Sequence, residues 1–524
     1  MTRRRGMLLV GSIVATLSLL AAGCSGGSGT QADQSAESSP TVPGLSASQV
    51  DDAVNQLDEI VQGTMSKLGT PGVAVAVVQD DRVVTTRTYG VRSTETQEPV
   101  NEQTLFQIAS LSKPISGTIV SGLSTQGGPA WDDLVRDKNP SFRLKDPWVS
   151  RHLTYADLVS MRAGLPGQGG NLLESIGFDQ EQIMNRLRLL DLNPFRDSYE
   201  YSNFSLTSGA VLAADAAGMS WDEAAQDVLF DPAGMKSTSY NNKTFEESDN
   251  TAQLHVERDG AWRPLFERTP DAQAPAGGVN TNITDMAAWG RVILGSGTLD
   301  GTEIVAPDVF TEFTTLSANA NNPSEPLFQT RGYGLGINVG VDEAGNTRWN
   351  HSGAFSTGAA TTAVFLPAQN VGIIVLTNAA PVGASESITD AFMEQVTTGG
   401  ISQDWDEIWT TRLAHIYGEP EDVGKPTPGI KLQNAEAFVG TYRNAYVGDF
   451  EVTQKGGGLV LIEGPARVRY RLKPWRKDTF VYAHAPELPD FLSTVTFTRT
   501  ADRATSMDVS AFDEVGWGTL RHVG

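Results

Sequence analysis

Val54, Leu57, Val61, Met65 and Leu68 recur at helical spacing, and Pro71-Gly72 ends the run, so a helix capped by Ser48 is expected there. The period then changes. Val73 to Val78 is a continuous apolar stretch, Asp80-Asp81 has turn chemistry and Val83 to Tyr89 is a second strand, which predicts a β-hairpin. Thr361 to Leu366 reads as a strand, and Phe365–Pro367 and Val371–Thr377 as a pair around a Gln369-Asn370 turn, followed by a helix near Glu386 to Val396. Strands at both ends of one region with helices between them imply an α+β domain whose sheet is closed by its own chain ends.

A further helix, Gln403 to Tyr417, runs into Glu419-Pro420-Glu421 and a Pro- and Gly-bearing stretch to Gly429, where a domain boundary is expected. Beyond it, short strands alternate with polar or Gly-rich turns: Gly440–Phe450, Leu459–Glu463, Val468–Leu472, Phe480–Ala483, Leu492–Arg499 and Thr505–Phe512. They predict a small antiparallel barrel or sandwich. The expected layout is residues 47–400 as the α+β domain, 401–429 as helix and linker, and 430–524 as the all-β domain.

The N-terminus is read as an address. Arg3, Arg4 and Arg5 precede an apolar run from Met7 to Leu20, and Ala21-Ala22-Gly23 stands before Cys24. This resembles a bacterial lipoprotein signal, with Ala21 where a larger aliphatic residue is usual. The resemblance implies a signal peptide over residues 1–23, lipidation at Cys24, a flexible tether over 24–46 and a place at the outer face of the cytoplasmic membrane.

Charge narrows the choice of partner. The chain has 524 residues, 39 Lys plus Arg and 62 Asp plus Glu, for a net charge of −23. Without residues 1–23 the balance is 36 against 62, or −26, and nearly all of it lies before residue 431, because residues 431–524 carry 12 basic and 11 acidic residues. Such a surface repels nucleic acid. The single cysteine excludes structural disulfides and thiolate zinc sites from the fold, the six histidines show no metal-ligand spacing, and no phosphate-binding Gly loop follows a strand, so neither metal nor cofactor is expected.

Of the 11 lysines, Lys113 alone has a serine three residues earlier, Ser110. On a helix these positions share a face about 5–6 Å apart, so the amine reaches the hydroxyl, and a helix beginning at the serine points unpaired N–H groups toward charge developing there. Alone the pair is a weak signal. Tyr201-Ser202-Asn203 and His351-Ser352-Gly353 follow it in order, with the spacing of one domain.

Together these three motifs resemble the serine β-lactamase and penicillin-binding-protein superfamily, in the branch of class C β-lactamases, D-Ala-D-Ala carboxypeptidases, D-aminopeptidases and related esterases. Leu153–Leu158 with Gly164-Leu165-Pro166, Gly277-Gly278-Val279 with Asp285–Trp289, and Tyr333-Gly334-Leu335-Gly336 support the resemblance over residues 50–400. It implies an antiparallel sheet flanked by helices with a helical subdomain, Ser110 as nucleophile, Lys113 and Tyr201 sharing the base work, and Asn203 holding Lys113 or a substrate amide. It further implies an oxyanion hole from the N–H groups of Ser110 and Ala354, the latter just past the His351-Ser352-Gly353 motif. The C-terminal region is similar to a lipocalin-like module, on Phe438–Tyr442 and Leu472–Trp475.

Two departures shape the expectation. His351 stands where relatives often offer a lysine, and an imidazole with pKa near 6.5 is mostly neutral at pH 7, so β-lactam carboxylates should be met poorly and esters, D-amino-acid amides or peptides better. Met161-Arg162-Ala163 precedes Gly164-Leu165-Pro166 where relatives often have His-x-Ser/Thr; Arg162 either meets an anionic substrate or sits in water. The alternating Arg467, Arg469, Arg471 and Lys473 read as the solvated face of a strand, or as a contact for anionic wall polymer. The reading that results is an extracytoplasmic serine hydrolase of the bacterial cell envelope, acting on a small-molecule or peptidoglycan-derived substrate. Its rival is a wall- or ligand-binding lipoprotein that keeps the fold without turnover.

Overall fold

The computed structural model describes residues 45–320, 328–342, 345–416, 418–500 and 503–523. The expected signal, Cys24 and the tether up to residue 44 lie outside these residues. Ser46, rather than Ser48, caps α1 (Ala47–Leu68): its hydroxyl accepts the Gln49 N–H while the Gln49 side chain accepts the Ser46 N–H. A glutamine three residues after the serine makes that reciprocal pair, whereas Ser48 already lies inside the first turn.

The main sheet has eight strands: β1 (Gly72–Gln79), β2 (Arg82–Gly90), β3 (Ala318–Asn319), β4 (Phe328–Tyr333), β5 (Asn338–Asp342), β6 (Thr347–Phe355), β7 (Ala359–Leu366) and β8 (Val371–Thr377). Their order is β2-β1-β8-β7-β6-β5-β4-β3, with antiparallel pairing throughout. The two ends of the domain meet where β1 pairs β8, Val75 opposite Val375. Between them in sequence lie α2 (Ser112–Thr125), α3 (Asn171–Ser175), α4 (Asn203–Ala216) and α5 (Ile283–Leu294), and after them α6 (Ala384–Thr398) and α7 (Trp405–Leu413).

Every residue of β1 is buried, because both faces of the sheet are covered. Val73, Val75 and Val77 join a core with Leu57 and Val61 of α1 and Ile388 and Phe392 of α6. Ala74, Ala76 and Val78 face the other way, into the core that holds Trp289 of α5. Burial on both faces is why this strand reads as an unbroken apolar run rather than an alternation. Helix α7 is shorter than the expected Gln403–Tyr417; Asp404 caps its start by accepting the Glu407 N–H, and none of its residues is fully buried to extend it.

The C-terminal region is a closed eight-stranded antiparallel barrel: β9 (Gly440–Asn444), β10 (Gly448–Lys455), β11 (Gly458–Glu463), β12 (Val468–Arg476), β13 (Thr479–Ala483), β14 (Leu492–Thr500), β15 (Arg503–Val509) and β16 (Thr519–Val523). The expected strand Gly440–Phe450 is in fact a hairpin, since the Asn444 side chain accepts the N–H groups of Tyr446 and Val447 and turns the chain. Strand β16, unpredicted, closes the barrel by pairing Tyr442 with His522. Only Leu520 in it is fully buried, too weak a pattern to read. Arg469 and Arg471 are exposed while Leu472 is buried, so β12 carries the expected charged outer face.

Candidate active site

The site grows from a strained turn. Ala109 holds φ +48°, a left-handed conformation, just before Ser110 in the turn Ala109–Leu111 that leads into α2. The Ser112 hydroxyl donates to the Ala109 carbonyl at 2.6 Å and accepts the Val279 N–H at 3.0 Å, which ties the turn to the Gly277-Gly278-Val279 segment. Strand β6 presses on the other side. A Cβ on Gly353 would lie 2.0 Å from the Ile108 carbonyl oxygen and 2.7 Å from the Leu111 nitrogen, so glycine is required for the serine turn to sit on this strand. The contact brings the backbone of Ala354 alongside the turn of Ser110.

Lys113 is fully buried, and its three donors have three acceptors: Ser110 Oγ at 2.9 Å, Asn203 Oδ1 at 2.8 Å and the Ala276 carbonyl at 2.9 Å. All three are uncharged. Burial pulls the amine's pKa well below its ordinary value. Asn203 and Tyr201 are presented by the start of α4, where Ser202 caps the helix by accepting the Ser205 N–H at 3.3 Å. The middle residue of Tyr-Ser-Asn is thus the hinge that lets its neighbours face the lysine. Nζ of Lys113 lies 4.7 Å from the centroid of the Tyr201 ring, and Tyr201 is 40% exposed on the cleft. Although the residue opens on the cleft, desolvation of its phenol by the surrounding site pushes the pKa up, against the lowering effect of a hydrogen bond with Ser110, so the phenol keeps its proton at neutral pH.

His351 is buried on the same side. Its Nδ1 lies 2.7 Å from the Ser352 carbonyl, which only accepts, so Nδ1 carries the proton, and Nε2 accepts from the Tyr333 hydroxyl at 3.2 Å. Burial, with the nearby Lys113 second, lowers its pKa to about 3. The imidazole is therefore neutral throughout the physiological range. A cavity of about 500 Å³ borders Tyr201 and His351 and continues past Asn350, Ser352 and Glu386. The β5 pairing reaches β6 only as far as Asn350, opposite Asn338, so His351–Phe355 form a sheet edge beside this cleft.

All the residues expected at the site are thus brought together: Ser110, Lys113, Tyr201, Asn203, His351, Gly353 and Ala354. Arg162 is not among them; it is partly exposed, and its guanidinium is held by the fold rather than free in water. Its Nε donates to Asp157 at 2.8 Å and its Nη1 to the Ser317 carbonyl at 2.8 Å. Three participants were not anticipated: the Ala276 carbonyl, Tyr333, and Asn171, whose Oδ1 accepts from Asn203 Nδ2 at 3.2 Å. Ala276 borders one segment that carries the resemblance and Tyr333 opens another; Asn171 has no motif around it. Among the described residues, no group of three or more His, Cys, Asp or Glu is placed to hold a metal ion.

Comparison with known proteins bears on the family and the fold. The beta-lactamase family model matches residues 57–397, and a domain of unknown function (DUF3471) matches residues 425–518. The unguisins hydrolase ungD' of Aspergillus campestris is 25% identical over 63% of this chain and 63% of its own length. A D-aminopeptidase of Gluconobacter oxydans is 26% identical over 45% of each chain, so the match spans about half to three fifths of these relatives. Among solved structures, the octameric penicillin-binding protein homologue from Pyrococcus abyssi superposes with a TM-score of 0.58 at 16% identity, over 89% of this chain and 99% of its own. A class C beta lactamase from Rhodobacter sphaeroides gives 0.53 at 21% identity, over 65% and 98%. These two likenesses concern the fold. With its family model covering most of the chain, this protein belongs to the beta-lactamase family.

Proposed function

We propose that the protein is an extracytoplasmic hydrolase that acts through an acyl-enzyme on Ser110, with an ester, D-amino-acid amide or peptide as substrate. The observation that carries this reading is the environment of Lys113: a buried amine, held by uncharged acceptors, 2.9 Å from a serine hydroxyl. In its neutral form the amine keeps two N–H groups for Asn203 and the Ala276 carbonyl, and its lone pair takes the Ser110 proton as Oγ bonds to the substrate carbonyl carbon. The carbonyl π electrons move to oxygen, and the N–H groups of Ser110 and Ala354 face that oxyanion. As the tetrahedral intermediate collapses, the alcohol or amine leaves with a proton passed from Lys113 through the protonated Tyr201 hydroxyl. Water then cleaves the acyl ester by the reverse sequence, and Ser110 regains its proton.

Neutral His351 offers no cation to a substrate carboxylate, and Arg348 at the cavity is already paired with Asp390 at 2.5 Å. This supports esters, amides and peptides over efficient β-lactam turnover. The relatives named D-aminopeptidase and unguisins hydrolase are in keeping with that choice. Cys24, with the signal-like residues before it, anchors the chain by lipid in this reading.

The test is intact-mass spectrometry of the chain from residue 25 onward with p-nitrophenyl butyrate, a penicillin and a D-alanyl peptide, while product release is followed. Ser110-dependent adducts or turnover are expected, and Ser110→Ala should lose both with a thermal midpoint close to wild type. Absence of adduct and product with every reagent would overturn the enzyme reading in favour of a binding lipoprotein.

A further inference from the structure

The barrel reaches the buried lysine through a short relay of hydrogen bonds. Tyr446, in the turn between β9 and β10, accepts the Gly170 N–H on its hydroxyl at 2.8 Å. Gly170 is the N-cap of α3 and holds φ +93°. Asn171, the next residue, accepts from Asn203 Nδ2, and Asn203 in turn accepts from Lys113 Nζ. Asn171 therefore decides which way round the Asn203 amide sits. With its nitrogen claimed by Asn171, its oxygen faces the lysine; a flipped amide would set donor against donor.

Tyr446 is itself firmly placed. It is 1% exposed, its ring stacks on Trp517 at 6.0 Å, and Arg186 Nε donates to its carbonyl at 3.0 Å. The segment it holds has no slack, because a Cβ on Gly170 would lie 2.5 Å from the Phe204 ring. Nearby the two surfaces are fitted backbone to backbone. The Ala466 N–H donates to the Ile176 carbonyl at 3.1 Å, and glycine is needed on each side: a Cβ on Gly177 would meet Ala466 at 2.4 Å, and one on Gly464 would meet the Ile176 oxygen at 2.3 Å. On the other side of the cleft, Ser356, two residues past Ala354, donates to Glu487 of the barrel at 2.9 Å.

We propose that Tyr446 is a positioning residue of the catalytic centre: the barrel, through Gly170 and Asn171, sets the Asn203 amide that keeps Lys113 against Ser110. The inference rests on the acyl-enzyme reading of Ser110 for its catalytic meaning, and on geometry alone for the coupling.

The experiment compares Tyr446→Phe, Asn171→Ala and the double variant in the full chain, with Glu487→Ala as a control on the other rim. Acylation by p-nitrophenyl butyrate is followed across pH, together with hydrogen exchange in residues 168–178 and 201–205. Loss of the Tyr446 hydroxyl should slow acylation about fivefold, the worth of one hydrogen bond, and Asn171→Ala more. The double variant should be no slower than Asn171→Ala, because both changes act through one relay. Exchange should rise in both segments for Tyr446→Phe and in neither for Glu487→Ala. Multiplying rate losses, or unchanged exchange at 201–205 in folded Tyr446→Phe, overturns the proposal. If no reagent acylates wild type, the acyl-enzyme reading fails, and the exchange data still decide the coupling.

Discussion

The molecule buries an ionisable centre in each of its two regions, and only one of them faces a nucleophile. In the α+β region Lys113 has a hydroxyl, an amide and a carbonyl as acceptors, beside a cleft where Tyr201 is 40% exposed. In the barrel Glu463 is fully buried, accepts from Tyr482 at 2.8 Å, and keeps a second oxygen without a hydrogen-bond partner among the described residues, 3.7 Å from His484 Nδ1. Burial pushes Glu463 up to about 8 and His484 down to about 4, so both are neutral in mildly acidic solution. Each region thus perturbs a pKa by the same desolvation. What separates them is geometry: the lysine touches a group that can attack a carbonyl, and the glutamate meets the Tyr482 hydroxyl and a histidine packed against the Tyr470 and Phe512 rings.

The largest expected effect comes from removing the lysine. Lys113→Met should slow acylation of Ser110 by about 10²–10⁴-fold, the range for losing a general base. In the wild type the acylation rate should rise with pH as the amine loses its proton, since only the neutral amine accepts one. His351, at about 3, adds no limb between pH 5 and 8. Stopped-flow release of p-nitrophenol across pH checks both statements. A flat profile, or an active Lys113→Met, would remove the distinction between the two centres.

How much of this was legible depends on which residues carry side-chain signals. Ser110, Lys113, Tyr201, Asn203 and Gly353 are readable because their chemistry requires those residue types at fixed spacing. The main sheet was readable at its interior strands β1 and β8, which are apolar runs, and poorly at its edge strand β3, as the barrel was at β16; both of these are held by pairing rather than by an apolar pattern. The Ala276 carbonyl was invisible because any residue supplies a carbonyl. Asn171 was invisible because its partner, Asn203, is 32 residues away and joined to it only by the fold. The cap at Ser46 was misplaced by two residues, although Gln49 held the reciprocal signal.

Glu463→Gln probes the second centre, with an intermediate effect on stability and none on acylation. An acid whose folded pKa lies above its unfolded value stabilises the fold below the unfolded pKa, and that contribution is lost as pH rises through about 8. The amide cannot ionise. Thermal midpoints should therefore show Glu463→Gln gaining on the wild type between pH 5 and pH 9, while p-nitrophenyl butyrate turnover stays within about twofold. A pH-independent difference would show that Glu463 is charged in the folded barrel or neutral in both states.

The smallest effect is expected at Arg162, a charge that serves the scaffold. Asp157 is fully buried, and Arg162 shares it with Arg196, which donates to both carboxylate oxygens. Burial alone would raise the carboxyl, but the hydrogen bonds from Arg196, Thr154 and Arg162 outweigh it and hold the pKa below the ordinary value. The stability this supplies is present above the unfolded pKa and fades as pH falls through the folded one. Because Arg196 remains, Arg162→Met should cost only about 1–2 kcal/mol at pH 7. The gap should narrow toward pH 3. If the residue instead met substrate, the change would appear in KM for an anionic ester relative to a neutral one, with the thermal midpoint untouched. The two donors already spent on Asp157 and the Ser317 carbonyl argue for equal KM changes with both esters and a lower midpoint, separating a buried charge that holds the fold from one that turns over substrate.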